Sequence, residues 1–232
     1  MNSKFAIVLI GIAVLGNAAA QCQTDIAASL YGAFNESTST DVNSTMQSPS
    51  NAAGVTLELR HIHNPLIGYE AAYSYNRADQ AYSSSGYAVC GVCAASQSWA
   101  PVSANAHELT GAWVASLKIG ALRPFALAGG GVLFNVPSSG QVTITTLITG
   151  CGGGNPGCIP GSVTTDTIPT SSSTEGVFVY GGGLDWGLLP HLGLRLQYRG
   201  NVYQAAALSS AFSSTNAFTH TAEPVIGVYF RL

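Results

Sequence analysis

Eight segments of this chain alternate apolar residues with polar or small ones at a period of two. This period is the pattern of a β-strand with two different faces. Each segment is roughly ten residues long or somewhat longer, which matches a tilted strand that crosses a bilayer. The segments are Asp25–Phe34, Ala53–His63, Ile67–Ala78, Ala106–Gly120, Arg123–Asn135, Gly176–Gly187, Leu192–Tyr203 and Ala217–Leu232.

The connections between these segments are alternately long and short. Short turns that contain proline lie at Asn64-Pro65, Arg123-Pro124 and Leu189-Pro190-His191. Outer-membrane barrels have short periplasmic turns and long extracellular loops, so the alternation predicts an all-β fold, an eight-stranded antiparallel up-and-down transmembrane β-barrel. The long connections are Asn35–Asn51, Asp79–Asn105, Val136–Glu175 and Ala205–Asn216.

The composition indicates an outer surface that contacts something other than water. Only 8% of the residues are charged, against roughly 25% in ordinary soluble domains. After the N-terminal region, no apolar run is long enough for a membrane helix, and only helices and closed barrels satisfy their backbone in lipid. We therefore expect outer-membrane lipid around the barrel. The net charge of −3 provides no basic patch, so nucleic acid is not an expected partner.

The first twenty residues predict a cleaved signal peptide. Lys4 gives a positive start, Phe5–Leu15 an apolar stretch, and Ala18-Ala19-Ala20 a cleavage site before Gln21. A retained anchor is the alternative. We expect residues 1–20 to be the signal peptide, residues 21–232 to be the barrel domain, and the protein to be exported to a bacterial outer membrane.

The charged residues occupy the polar positions of the alternating segments. These positions would face the lumen. The expected lumen network is Glu58, Arg60, Glu70, Glu108, Lys118, Asp185, Arg195, Arg199, Glu223 and Arg231. Reflection of each hairpin about its turn places Arg60 opposite Glu70, Asp185 opposite Arg195, and Arg199 near Glu223. Eight strands leave an interior that side chains fill, and buried charges must be paired. The pattern predicts a plugged lumen with five acids balanced by five bases.

Aromatic residues occupy the apolar positions of the same segments, which would face outward. Aromatic girdles mark both interfaces of a membrane barrel. The expected girdle residues are Tyr69, Tyr73, Trp113, Tyr180, Trp186, Tyr198 and Phe230.

Four cysteines lie in the predicted long loops, namely Cys90, Cys93, Cys151 and Cys158. A C-x-x-C pair occurs in redox and zinc sites, but neither pair has further ligands at finger-like spacing. Export favours disulfides. Local pairing, Cys90 with Cys93 and Cys151 with Cys158, is expected ahead of crossed pairing, and Cys22 is expected to lie outside both disulfides. The glycine triplets lack the Lys-Ser or Lys-Thr of a phosphate loop. We expect no metal and no cofactor.

The run Val179–Trp186, followed by Leu189–Arg199, resembles the sixth and seventh strands of small OmpA-like outer-membrane barrel proteins. The resemblance is sharp over this hairpin and the C-terminal strand. It implies the barrel fold and, during biogenesis, contact with the barrel-assembly machinery, which reads an aromatic residue at the C-terminus. This chain ends Phe230-Arg231-Leu232, with Phe230 on the same face as the last residue.

The sequence favours a non-enzymatic barrel with long Ser/Thr/Gly-rich extracellular loops that serve surface interaction or envelope integrity. The main alternative is a small-solute channel or transporter. A lipid-modifying enzyme is a third hypothesis, because His107 lies beside Glu108 with Ser103 upstream, a set from which a catalytic triad could be built. No sequence feature indicates the extracellular ligand.

Overall fold

The structure, a computed structural model, describes residues 23–40, 45–64, 66–88, 94–149, 162–209 and 217–232. The predicted signal peptide and all five cysteines lie outside these ranges. None of the described residues belongs to a helix long and apolar enough to cross a membrane. The strands are β1 (Gln23–Asn35), β2 (Thr38–Thr40), β3 (Thr45–Pro49), β4 (Ala52–Ile62), β5 (Ile67–Ala88), β6 (Ala94–Ser116), β7 (Leu122–Pro137), β8 (Gln141–Thr149), β9 (Ser162–Pro169), β10 (Ser173–Gly187), β11 (Leu192–Gln204) and β12 (Phe218–Arg231).

Eight of these strands close into an antiparallel barrel, which confirms the predicted fold. In order around the barrel they are β1, β4, β5, β6, β7, β10, β11 and β12, and β12 pairs with β1. The strand ends joined by short turns all lie at one end, here called the lower end, and the strand ends that flank the long connections lie at the other, upper end. Closure leaves no barrel edge unpaired along the membrane-crossing part.

The two faces of each barrel strand differ as the period of two requires. All seven predicted girdle aromatics lie on the outside, with exposed fractions from 37% for Tyr180 to 71% for Trp113. Between them the outer surface is aliphatic, with residues such as Leu57, Leu109 and Ile226 about half exposed. An apolar outer surface around a polar interior is the arrangement of a transmembrane barrel.

Two glycines of the barrel wall are required by close strand packing. A Cβ at Gly131 in β7 would lie 2.0 Å from the carbonyl oxygen of Leu109 in β6. A Cβ at Gly181 in β10 would lie 2.1 Å from the carbonyl oxygen of Tyr198 in β11. Glycine therefore permits a backbone approach at these positions that a larger residue would prevent.

The upper end contains strands in segments whose composition predicted loops. β2, β3, β8 and β9 pair with the upper parts of β5 and β6 into a six-stranded sheet in the order β2-β3-β5-β6-β8-β9, here called the upper sheet. The loop prediction was wrong for these segments. The stretch Gln141–Thr149 is rich in Thr, Val and Ile, which favour strands, although Ser, Thr and Gly nearby gave it a loop-like composition.

The segment Ala205–Ser209 crosses the upper mouth of the barrel. It follows β11 and reaches β5, the strand four places away in either direction around the barrel. There, Tyr82 Oη donates to the Ala206 carbonyl at 2.8 Å and accepts from the Leu208 amide at 3.2 Å. Leu208 is 0% exposed within an apolar cluster on the inner face of the upper sheet. Burial raises the pKa of Tyr82 to about 12. We call Ala205–Ser209 the cap.

Candidate functional site

The lumen is occupied by arginines and carboxylates from strands on opposite sides of the barrel. Arg60, on β4, and Arg195, on β11, are both 0% exposed. Arg60 donates from Nε to Glu70 Oε2 at 2.8 Å, and from Nη1 to Asp185 Oδ2 at 3.1 Å. Asp185 lies on β10, so this guanidinium joins two parts of the wall that are far apart in sequence.

Arg195 donates hydrogen bonds to three carboxylates at once. Its Nε lies 2.8 Å from Asp185 Oδ1, its Nη1 2.6 Å from Glu58 Oε2, and its Nη2 2.8 Å from Asp25 Oδ1. All three acids are buried. Charge-assisted bonds of this kind are stronger than neutral ones, and here they link β1, β4, β10 and β11 across the interior.

An aromatic ring fills the space beside these arginines. Phe125 projects inward from β7 and is 7% exposed. The Arg60 guanidinium carbon lies 3.9 Å from its ring centroid, and that of Arg195 lies 5.7 Å away. Both distances are within the range of cation–π attraction. The lower half of the lumen is therefore packed with side chains from β1, β4, β7, β10 and β11.

Arg199 forms a second cluster nearer the upper end. Its Nη2 lies 3.1 Å from Glu108 Oε1, and the Asn201 amide nitrogen donates to Glu108 Oε2 at 2.9 Å. Arg199 is paired with Glu223 in the strand register, but its ion pair within 4.0 Å is with Glu108. The cluster joins β11 to β6 across the lumen.

The reflected hairpins match the strand register at all three predicted positions. Arg60 pairs with Glu70, Asp185 with Arg195, and Arg199 with Glu223. The first two of these pairs also form ion pairs.

Two bases of the predicted network lie outside the buried clusters. Lys118 is exposed, because β6 ends at Ser116 and a tight turn follows in which Gly120 has a φ of 62°. Arg231 is half-buried at the lower end, where Nη1 donates to the Pro190 carbonyl at 3.3 Å. The expected placement of Lys118 in the lumen was wrong. The alternation does not continue into the turn.

Asp25 is a buried member of the lumen network that was not predicted. It lies on the parity opposite Ile26, so the alternation in β1 already pointed it inward. Arg123 was also missed. It is half-buried at the lower end, and its Nη2 donates to Gln23 Oε1 at 2.5 Å.

Acids outnumber bases among the charged residues that the structure describes as buried. Six carboxylates stand against three arginines, so the expected balance of five and five does not hold there. Arg123 and Arg231, both half-buried, add positive charge near the lower mouth. The buried residues are Asp25, Glu58, Glu70, Glu108, Asp185 and Glu223, with Arg60, Arg195 and Arg199.

The residues of the hypothetical triad do not converge. His107 lies on the outer parity, where its Nδ1 is 2.8 Å from Tyr73 Oη. Glu108 points the other way, into the lumen, and is 6% exposed. Ser103 donates to Asp79 Oδ1 instead. These three side chains are not arranged as a nucleophile, base and orienting acid. The described residues also contain no group of three or more His, Cys, Asp or Glu that could hold a metal ion.

Comparisons with known proteins give distant structural similarities. No family model and no curated protein sequence matches the chain. The outer membrane protein OprG of Pseudomonas aeruginosa is 11% identical, with a TM-score of 0.49 over 93% of this chain and 98% of that one. The attachment invasion locus protein Ail of Yersinia pestis is 11% identical, with a TM-score of 0.43 over 91% and 99%. Neisserial surface protein A is 12% identical, with a TM-score of 0.38 over 90% and 97%.

The fold is evident from the chain's own strand pairing and surfaces. Its eight barrel strands close on themselves, its outside is apolar, and its inside holds buried ion pairs. The chain has the fold of the small OmpA-like outer-membrane β-barrels.

Proposed function

We propose that the protein is a closed outer-membrane barrel that acts through its upper sheet, in surface interaction or envelope integrity, and does not conduct solutes. The observation that carries this proposal is the filling of the lower lumen by Arg60 and Arg195. Both guanidinium groups are fully buried and bind carboxylates on strands across the barrel. Opening a path would require these bonds to break, which is costly for buried charges.

The cap supports the same proposal from the other end. Ala205–Ser209 crosses the upper mouth and packs under the upper sheet. A solute would have to displace both the cap and the ion pairs. The proposed role is non-enzymatic. The side chains of Ser103, His107 and Glu108 point to different partners, which gives the enzymatic alternative no support.

In the proposed orientation the lower end faces the periplasm and the upper sheet faces the exterior, with a bacterial outer membrane between them. The short turns at one end and the extended strands at the other support this orientation. Contact with outer-membrane lipid, export through a cleaved signal peptide and insertion by the barrel-assembly machinery are parts of the same proposal.

The first arm of the test is solute uptake into proteoliposomes. Vesicles with the refolded protein should swell in isosmotic sugars and amino acids no faster than empty vesicles. Swelling that grows with protein content would favour the alternative of a small-solute channel or transporter.

The second arm uses a strain that lacks the gene. The full chain should restore the surface binding or the envelope integrity that this strain has lost. A chain in which residues 80–101 are replaced by a short turn should not restore either property. Full restoration by the shortened chain, with its barrel folded, would contradict a role for the upper sheet.

A further inference from the structure

The outer surface changes character abruptly at the upper end of the barrel. On β5 the apolar parity runs through Tyr73 and Tyr75 and then reaches Arg77 and Asp79, both exposed. On β6 the same boundary lies at Asn105, the register partner of Arg77. Charged residues of this kind belong in water or in the headgroup region and not against hydrocarbon. Above Arg77 and Asn105, the outer face of the upper sheet is therefore beyond the hydrocarbon.

One row of residues crosses the whole outer face of the upper sheet. The register joins Ser39 to Met46, Met46 to Ser83, Ser83 to Trp99, Trp99 to Thr145, and Thr145 to Thr165. The Trp99 ring is 43% exposed at the centre of this row. It has the same parity as Trp113 and Leu109 lower on β6, so it continues the membrane-facing side of the barrel.

The surroundings of Trp99 are neutral and rich in hydroxyl groups. Above Arg77 and Asp79, the described residues on the outer face of the upper sheet include no charged side chain, and Asp166 of β9 lies on the opposite parity, paired with Ile144. We call this surface the Trp99 face. Its residues are Ser39, Met46, Ser48, Ala81, Ser83, Ser85, Gln97, Trp99, Pro101, Thr143, Thr145, Leu147, Val163, Thr165 and Thr167.

We propose that the Trp99 face docks neutral sugars of the glycolipid that forms the outer leaflet around the barrel. An exposed indole offers a flat apolar surface to the C–H face of a sugar ring. Hydroxyl and amide side chains beside it, at Ser83, Gln97 and Thr145, can both donate and accept hydrogen bonds with sugar hydroxyls. The absence of cations from this described face argues against phosphorylated or sulfated groups, which are bound by Arg and Lys.

The position of the face identifies the partner. Trp99 lies six residues above Asn105 along β6, which at about 3.3 Å per residue and a tilt of about 40° is a height of roughly 15 Å above the boundary. Because the face is continuous with the membrane-contacting surface, its lateral neighbour at that height is the saccharide of the surrounding glycolipid. The inference rests on the outer-membrane placement proposed above.

The test is quenching of Trp99 fluorescence by acrylamide. In the mature chain, Trp113→Phe and Trp186→Phe leave Trp99 as the reporter. The protein is refolded in nanodiscs that contain lipopolysaccharide with a complete hexose core, or lipopolysaccharide truncated before the hexoses. We expect the quenching constant to fall at least twofold in the complete-core discs. A matched reporter that keeps Trp113 alone, with Trp99→Phe and Trp186→Phe, should give equal values in both.

Docking is separated from simple crowding by Ser83→Ala together with Thr145→Val, added to the Trp99 reporter. These changes remove two hydroxyls and keep the indole, so at least half of the protection should be lost. Equal quenching in the two kinds of disc would overturn the proposal and would favour a protein as the partner of the Trp99 face. Protection that the hydroxyl changes do not alter would also overturn it. A sample without the folded barrel's gel mobility in either disc would instead contradict the proposed membrane fold.

Discussion

Replacement of Arg195 by methionine should destabilise the barrel more than any other single change to its charged residues. Methionine keeps much of the side-chain volume but removes the guanidinium. Asp185 retains Arg60 as a partner at 3.1 Å. Glu58 and Asp25, by contrast, have their ion pairs within 4.0 Å to Arg195 alone among the described residues, so both would be left buried without a cation.

The expected loss is at the upper end of the range for a broken buried pair, about 3–5 kcal/mol. At about 1.4 kcal/mol for each factor of ten, a loss of about 5 kcal/mol would lower the folding equilibrium constant by on the order of a few thousandfold. The measurement is urea unfolding of the bilayer-refolded protein, followed by tryptophan fluorescence and by the gel shift of the unboiled barrel.

The matched control is Arg231→Met, because Arg231 is half-buried and its guanidinium bonds the Pro190 carbonyl at 3.3 Å. That change should cost less than about 1 kcal/mol. If Arg195→Met alone does not fold, the triple variant with Asp25→Asn and Glu58→Gln should fold, since it removes the orphaned charges. Equal losses for the two methionine variants would refute the role assigned to the lumen network.

Four further results are expected. Glu70→Ala should cost more stability than Tyr73→Ala, by about 2 kcal/mol or more in the same urea assay, because Glu70 pairs with buried Arg60 whereas Tyr73 faces outward; equal costs would contradict the pairing. Gly181→Ala should impair refolding, since its Cβ would meet a carbonyl oxygen at 2.1 Å, whereas Gly176→Ala, with nothing within 4 Å, should refold normally. Tyr82→Phe should speed hydrogen exchange at the Leu208 amide about tenfold or more, because that amide loses its acceptor. In the wild type the pKa of Tyr82 is raised to about 12, so the cap should keep its stability below pH 10 and lose it as the pH rises from 10 towards 12. The four loop cysteines should form two internal disulfides that exclude Cys22, and intact mass with and without reductant would show a difference of four hydrogens; four free thiols in exported protein would count against this.

The alternation of residues was sufficient to predict the barrel wall. Once the turns are located, a period of two decides which side chain faces the lumen, and reflection about a turn decides which residues lie opposite one another. Arg60 and Glu70 were found in this way, as were Asp185 and Arg195. Contacts between adjacent strands are local in the topology, so the sequence contains the information needed to place them.

Contacts across the lumen could not be predicted by the same reasoning. Arg60 reaches Asp185, and Arg195 reaches Glu58, because the strands are brought together by barrel closure and by the lengths of the arginine side chains. Reflection about a turn carries no information about either. The pairing of Arg199 with Glu108 in place of Glu223 has the same origin.

The upper sheet was missed for a different reason. Its strands are short or are continuations of barrel strands, and their Ser and Thr residues are common in both loops and strands. The pairing of β8 with β6 is set by the extension of β5 and β6 far above the barrel. The cap was missed because Ala205–Ser209 has no period at all, and its burial depends on the residues of the upper sheet that cover it.

The most direct test of the proposed closed lumen is single-channel recording in planar bilayers. Purified, refolded wild-type protein should produce no stable openings of porin size if, as proposed, the buried ion pairs and the cap obstruct the same path. Arg195→Met should raise the leak, because it removes the central guanidinium. Reproducible porin-sized conductance from the wild type, in preparations whose gel shift shows a folded barrel, would contradict the account and establish the channel alternative.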